Sequence, residues 1–130
     1  MYTIRKLFKF EGSHALSSAY SSECKKIHGH SYVVEVVLKG ERLNKDGMLI
    51  DFKMLKEKIN YIFDSWDHAL VVHNSDKKFE STIFGALYVD FNPTAENMAK
   101  YFYDQCKEMI SIIYSVRVHE TATGWAEYSE

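Results

Sequence analysis

The chain has 130 residues, of which 46% are apolar, and a formal net charge of −2 from sixteen basic and eighteen acidic side chains. This length fits one domain, residues 1–130, and the apolar content is enough to bury a core, which excludes a disordered chain. Because basic and acidic residues are balanced, the chain lacks the excess of positive charge that nucleic-acid binding requires, and we expect no nucleic-acid partner. No apolar stretch reaches the roughly 20 residues of a membrane span, so we expect no membrane partner. The first residues lack the apolar core of a signal peptide, so we expect a cytoplasmic protein.

Two strands are predicted in the first third of the chain. Residues 2–16 alternate loosely, and one side of the strand carries Phe8, Phe10, Gly12, His14 and Leu16. Residues 30–39 alternate as well, with one face made of Tyr32, Val34, Val36 and Leu38. A period of two is typical of half-buried strands, so each strand is expected to turn one apolar face towards a core.

Two amphipathic helices are predicted next. Asp51 is a suitable N-cap for the first, whose apolar residues recur at three- and four-residue steps: Phe52, Leu55, Ile59, Ile62, Phe63 and Trp66. The second begins in the segment NPTAEN, with Asn92 or Thr94 as N-cap and Pro93 in the first turn. Its apolar stripe is Met98, Ala99, Phe102, Cys106 and Met109, which places the Cys106 thiol in the core.

The chain then returns to strands. Residues 112–121 are predicted to carry Ile112, Tyr114, Val116, Val118 and Glu120 on one face, and GWAEY is predicted to be a short final strand. The order is strand–strand–helix–helix–strand–strand, and a few residues around Tyr88 are a further candidate for an extended segment. This order of elements predicts an α+β fold, in which both helices cover one face of an antiparallel sheet. The uncovered face or the sheet edges then need a partner, so we expect a homo-oligomer.

Three histidines are candidate metal ligands. His28 and His30 are two residues apart, and on a strand that spacing directs both side chains to one face. If the two N-terminal strands form a hairpin, His14 lies opposite His28 or His30. Three neutral imidazoles with an open fourth position are typical of catalytic zinc. The alternative is three unrelated histidines in loops and at strand ends.

Cys24 precedes His28 by four residues. Near a dication its thiol would ionise more readily and act as a base or nucleophile, whereas as a fourth zinc ligand it would close the site. Asp67 beside His68 could set the tautomer of the imidazole for proton transfer, but such a pair is equally common on a solvated surface.

Glu120 ends an apolar row. A carboxylate buried there would need a partner or a ligand, because an unpaired buried charge is unfavourable. The alternative is that the strand ends at this residue and its side chain reaches water. His119 shares the polar face with Arg117 and is therefore expected to lie outside the metal site.

Six segments occur in the same order in a known family: FEGSHAL, CKKIHGHSY, GMLIDFKMLK, WDHALV, NPTAEN and VHET. With them nearly the whole chain resembles the 6-pyruvoyl-tetrahydropterin synthase family, and the short spacing from the cysteine to His-Gly-His resembles its bacterial 6-carboxy-tetrahydropterin branch of queuosine biosynthesis. The Ala-Leu-Val-Val run after Asp67-His68, which lacks the family's frequent Asn, and Trp125 depart from the pattern.

The resemblance implies the tunnelling fold, a four-stranded antiparallel sheet with two helices on one face. Its subunits form trimers that close a barrel, commonly stacked into hexamers, with sites at subunit boundaries. It also implies roles for nine residues: a zinc triad of His14, His28 and His30, Cys24 as proton acceptor, Asp67 and His68 as a relay pair, Glu120 holding the pterin ring, and Thr94 and Glu96 lining the same pocket.

The implied reaction converts 7,8-dihydroneopterin triphosphate to 6-carboxy-5,6,7,8-tetrahydropterin, with zinc as cofactor and acetaldehyde and triphosphate released. The alternative enzyme is the 6-pyruvoyl-tetrahydropterin synthase, which eliminates triphosphate only. A third hypothesis is a zinc-stabilised assembly module that binds pterin without turnover. Cys24 together with Asp67 and His68 argues against that module, because a binder needs no groups for proton transfer.

Overall fold

The computed structural model describes residues 1–17, 19, 21–76 and 86–130. Its elements are β1 (Tyr2–His14), β2 (His28–Gly40), α1 (Phe52–Asp64), β3 (Leu70–His73), β4 (Ala86–Val89), α2 (Ala95–Met109), β5 (Ile113–His119) and β6 (Trp125–Ser129). Within these described ranges, neither helix has the length and apolar character needed to cross a membrane.

The strands form one mixed sheet in the order β4-β3-β1-β2-β5-β6. Its four strands β1, β2, β5 and β6 pair antiparallel, as predicted. The prediction of a purely antiparallel, four-stranded sheet was wrong, because β3 and β4 add two parallel strands beside β1. β3 consists of Leu70–His73, so it contains most of the Ala-Leu-Val-Val run and also His73.

The core lies between the sheet and the two helices. Phe8 and Phe10 on β1, and Tyr32, Val34, Val36 and Leu38 on β2, are buried on the predicted face. Phe8 stacks on Phe63 of α1 with ring centroids 4.6 Å apart, and burying one such ring stabilises the fold by about 1.5–3 kcal/mol. Two helix residues predicted for this core are instead half exposed, Phe52 at 51% and Met109 at 44%.

One stretch of β5 faces the other way from the prediction. The β2–β5 register shifts between Val37 and Leu38, which pair with Ser115 and Ile113. Ile113 is therefore buried, while Tyr114 is 41% exposed and lies under the ammonium of Lys39. A bulge of this kind adds one residue and reverses the alternation on one side of it. Beyond the bulge, Val116 and Val118 keep the predicted inward face, which is the row that Glu120 continues.

Both helices have the predicted caps. The Asp51 carboxylate accepts hydrogen bonds from the backbone N–H of Lys53 and Met54. For α2 the cap is Thr94, whose hydroxyl accepts from the N–H of Asn97 at 3.3 Å. Side-chain acceptors of this kind satisfy N–H groups that have no partner within the helix. The cap fixes the start of α2, and with it the position of Pro93 just before the helix.

Candidate metal centre and active site

Three imidazoles meet where β1 ends and β2 begins. His14 is the register partner of His28, and His30 lies two residues further along β2 on the same face. The Nε2 atom of His14 lies 3.0 Å from Nε2 of His28 and 3.2 Å from Nε2 of His30. Ligand atoms of the three lie within 4.8 Å of one another. The hairpin predicted from sequence thus brings together the three predicted metal ligands.

The other ring nitrogens show where the protons are. Nδ1–H of His14 donates to the Pro93 carbonyl at 2.8 Å, and Nδ1–H of His28 donates to the Lys26 carbonyl at 2.7 Å. Because a carbonyl only accepts, each Nδ1 carries the proton and each Nε2 carries a lone pair. Two lone pairs 3.0 Å apart repel each other, and a cation between them would convert the repulsion into attraction.

The spacing of the nitrogens fits a zinc ion. Tetrahedral zinc with Zn–N bonds of about 2.0–2.1 Å separates its ligand nitrogens by about 3.3 Å. The two Nε2 distances from His14 are close to that value. Backbone carbonyls that hold Nδ1–H are the partners that normally orient zinc-binding histidines. The donor set therefore suits a tetrahedral dication with one coordination position left for another ligand.

Burial favours the neutral form of His14 and of His30. His14 is 1% exposed, and this desolvation lowers the pKa of its imidazole to about 4, with a further lowering by His28 and His30. The hydrogen bond to Pro93 acts in the opposite direction. Burial also lowers the pKa of His30, although the negative charge of Glu120 opposes the shift. Neutral imidazoles at physiological pH can bind a metal without first losing a proton.

The lowered pKa of His14 predicts acid destabilisation of the metal-free protein. Between pH 6.5 and about 4 the unfolded chain binds a proton at this residue that the folded chain does not. The free energy of unfolding is thus expected to decrease over that range as pH falls, by up to roughly 3 kcal/mol from His14. Denaturant titrations at several pH values measure this change in the free energy of unfolding. The variant His14→Gln has no ionisable group there and should show a flatter profile; an equally steep one would contradict the assignment.

Glu120 is the carboxylate next to the triad. It directly follows the last residue of β5, and its Oε1 lies 3.9 Å from Nε2 of His14. Its side chain is 30% exposed. A cavity of about 510 Å³ also borders Glu120, but it lies on the sheet face away from the helices, where it is lined in part by Glu35 and His119. The 3.9 Å distance to His14, and not this cavity, places the Glu120 carboxylate to meet a ligand at the imidazoles.

Cys24 lies in the loop between β1 and β2. Its backbone carbonyl accepts a hydrogen bond from Leu16 at 2.8 Å, and its free thiol is half-buried. Over the described residues, the group of potential ligand atoms around His14 does not include this sulfur. The sulfur is therefore not part of the ligand set that the three imidazoles form, and the role of Cys24 as a proton acceptor remains a prediction.

Asp67 and His68 are held together but are exposed. His68 Nδ1 lies 2.9 Å from Asp67 Oδ2, while Asp67 Oδ1 accepts from the backbone N–H of Glu11 at 2.8 Å. These contacts, Glu11 first, lower the pKa of the Asp67 carboxyl. The His68 side chain is 80% exposed, and its backbone is left-handed, with φ of 57°. Within one chain the pair is formed but is not part of the group around His14.

The segment before α2 contacts the triad through its backbone. Pro93 is buried and its carbonyl holds His14, whereas the Thr94 hydroxyl caps α2 and Glu96 is exposed in the first turn. Sequence reasoning missed Pro93, because every residue has a carbonyl and no residue type marks the one that is used. The roles predicted for Thr94 and Glu96 in the pocket remain predictions.

The sheet with two helices on one face is the architecture of the tunnelling fold, which solved 6-pyruvoyl tetrahydropterin synthase structures share. The chain belongs to the 6-pyruvoyl tetrahydropterin synthase family, whose model matches residues 3–130. The family resemblance of the sequence is thereby confirmed.

Relatives and a solved structure agree with this assignment. The chain is 30% identical over a 159-residue alignment to the 6-carboxy-5,6,7,8-tetrahydropterin synthase of Aquifex aeolicus, covering 99% of this chain and 98% of that protein. It is 34% identical to the Helicobacter pylori (strain J99) protein of the same name, over 95% of this chain and 70% of the relative. The 6-pyruvoyl tetrahydropterin synthase of Caenorhabditis elegans superposes with a TM-score of 0.76 at 26% identity, covering 99% of this chain and 95% of that one.

Proposed function

We propose that this protein is a zinc-dependent lyase that converts 7,8-dihydroneopterin triphosphate and water to 6-carboxy-5,6,7,8-tetrahydropterin, acetaldehyde and triphosphate, a step of queuosine biosynthesis. The observation that carries the proposal is the convergence of three Nε2 atoms, with a carboxylate oxygen 3.9 Å from that of His14. Relatives along nearly the whole chain are named 6-carboxy-5,6,7,8-tetrahydropterin synthase, which supports this choice of substrate and product.

His14, His28 and His30 would hold the zinc ion. A zinc ion there supplies Lewis acidity, which makes hydroxyl groups of the substrate side chain and their neighbouring C–H bonds more acidic. Glu120 accepts hydrogen bonds from the N–H edge of the pterin ring. The 3.9 Å distance from its Oε1 to His14 Nε2 supports this role, because it places the carboxylate next to the triad. Thr94 and Glu96 complete the wall of the pocket beyond Pro93.

Two groups of the chain would move protons. The Cys24 thiolate accepts a proton from the substrate side chain, since a sulfur that is not a ligand stays available as a base. The Asp67 carboxylate holds Nδ1 of His68 and so stabilises the imidazolium after that ring takes up a proton. Asp67 is itself held by the backbone N–H of Glu11, which keeps it ionised for this task.

The enzyme would work as a single-domain, cytoplasmic homo-oligomer, a trimer or a hexamer. Exposed apolar side chains on the sheet face away from the helices support assembly, since Leu7 is 47% and Trp125 is 51% exposed. The exposure of His68 supports a site at a subunit boundary, where another copy's triad can use the relay pair.

One experiment tests the reaction. The zinc-loaded protein is incubated with 7,8-dihydroneopterin triphosphate, and both organic products are identified by mass. Acetaldehyde and the carboxy product are expected. A pyruvoyl product without acetaldehyde would favour the alternative enzyme, whose C. elegans representative has the same fold. Pterin binding without turnover would favour the assembly module, and full activity of a metal-free preparation would contradict the zinc requirement.

A further inference from the structure

A buried carboxylate lies on the sheet face away from the helices. Glu35 of β2 is 7% exposed and is surrounded by three cationic or potentially cationic groups. Its oxygens lie 2.8 Å from Arg5 Nη1, 3.1 Å from Arg117 Nη1 and 3.3 Å from His119 Nε2. A desolvated carboxylate needs such partners, and Arg117 is shared with Glu127, so two arginines face two carboxylates. The contact with His119 is the one that reaches the end of β5.

The Glu35 cluster joins the strands that carry the site. Arg5 belongs to β1, Glu35 to β2, and Arg117 and His119 to β5. On the opposite face, β1 carries His14, β2 carries His28 and His30, and β5 leads into Glu120. The contact between Glu35 and His119 thus limits movement of the end of β5, which leads into Glu120, relative to β2, which carries His28 and His30.

His119 is the member of the cluster closest to Glu120. It is the last residue of β5, and because side chains alternate along a strand, its imidazole and the Glu120 carboxylate point to opposite faces. Beyond it residues 120–124 turn back into β6, and Thr121 Oγ1 accepts from the N–H of Gly124 at 3.2 Å. Arg117 is held by β6 as well, through Glu127 at 3.3 Å and the Trp125 ring at 3.8 Å.

We propose that His119, through its contact with Glu35, is a positioning residue that keeps the Glu120 carboxylate in place for the pterin ring. The contact ties the end of β5 to the middle of the sheet, directly before the residue that meets the substrate. This inference rests on the proposed function, because it takes Glu120 as the group that holds the ring. It adds a residue that itself touches neither the ring nor the metal.

The test compares His119→Leu with Arg5→Met in the full-length protein. Both variants remove one partner of Glu35. Arg5 belongs to β1, however, and takes no part in the proposed contact between Glu35 and the end of β5. For His119→Leu we expect the Kd for 7,8-dihydroneopterin and the KM of the triphosphate to rise about tenfold, as for a weakened hydrogen bond to a charged group. Zinc content and kcat should stay near their wild-type values. Arg5→Met should bind and turn over as the wild type does.

Two further variants complete the test. His119→Gln keeps an N–H donor that can reach Glu35 and should restore most of the affinity. If His119→Leu does not fold, His119→Asn makes the same comparison, because its side chain is too short to reach Glu35. Wild-type affinity in His119→Leu, or in His119→Asn if the leucine variant does not fold, would overturn the inference. An equal loss of affinity in Arg5→Met would overturn it too. In both cases, normal turnover by the unmutated protein would leave the proposed function intact. A wild-type protein without pterin binding or turnover would instead overturn the proposed function, and this inference with it.

Discussion

Replacing His28 with alanine is expected to abolish zinc binding and turnover together. The change leaves two imidazoles to hold the ion, and it removes the ring whose Nε2 lies 3.0 Å from that of His14. Loss of a direct ligand should lower zinc affinity by more than about 100-fold, since even partners outside the coordination sphere are worth 10–100-fold. Metal content after dialysis and a zinc titration measure the effect, and product formation is followed in parallel.

The chain offers a matched control for this experiment. His73, at the end of β3, is also a partly exposed histidine, and its Nδ1 accepts the N–H of Ser75 rather than facing the triad. His73→Ala should keep full zinc content and activity. The His28→Ala protein should still fold, because His28 contributes little to the core. Normal zinc content in His28→Ala would show that the ion, if bound, is held elsewhere.

Replacing Cys24 with alanine is expected to separate metal binding from chemistry. Zinc content should be unchanged, because this sulfur is not one of the grouped ligand atoms around His14 in the described part of the chain. Turnover should fall by about 10²–10⁴-fold, the contribution of a positioned general base. Single-turnover kinetics and metal analysis on the same preparation measure both quantities.

Cys106 is the natural control for Cys24. It is fully buried in α2, and burial raises the pKa of its thiol to about 12, so it stays protonated and unreactive. Cys106→Ala should lower the free energy of unfolding slightly and leave turnover intact. A fall in zinc content in Cys24→Ala would make the sulfur a ligand and would remove it as a base.

Much of the fold could be predicted from local patterns. The inward faces of β1 and β2 follow from a period of two, and the start of each helix follows from a capping side chain, Asp51 or Thr94. β3 could not be predicted, because a four-residue apolar run directly after a helix has no period to distinguish it. Nor could the outward face of Tyr114, because the bulge that reverses it belongs to the pairing of β2 with β5.

The same division holds for the candidate site. The spacing of His28 and His30, and the hairpin that places His14 opposite them, were present in the sequence, because alternation and antiparallel pairing are local rules. Only the tertiary structure decided which ring nitrogens carry the protons, since the Pro93 carbonyl comes from a segment 79 residues away. It alone brought Glu120 to His14, and tied His119 to Glu35, because both contacts form between strands that are distant in sequence. Residue types and spacing thus determined which groups are available, and packing between distant segments decided their distances and their protonation.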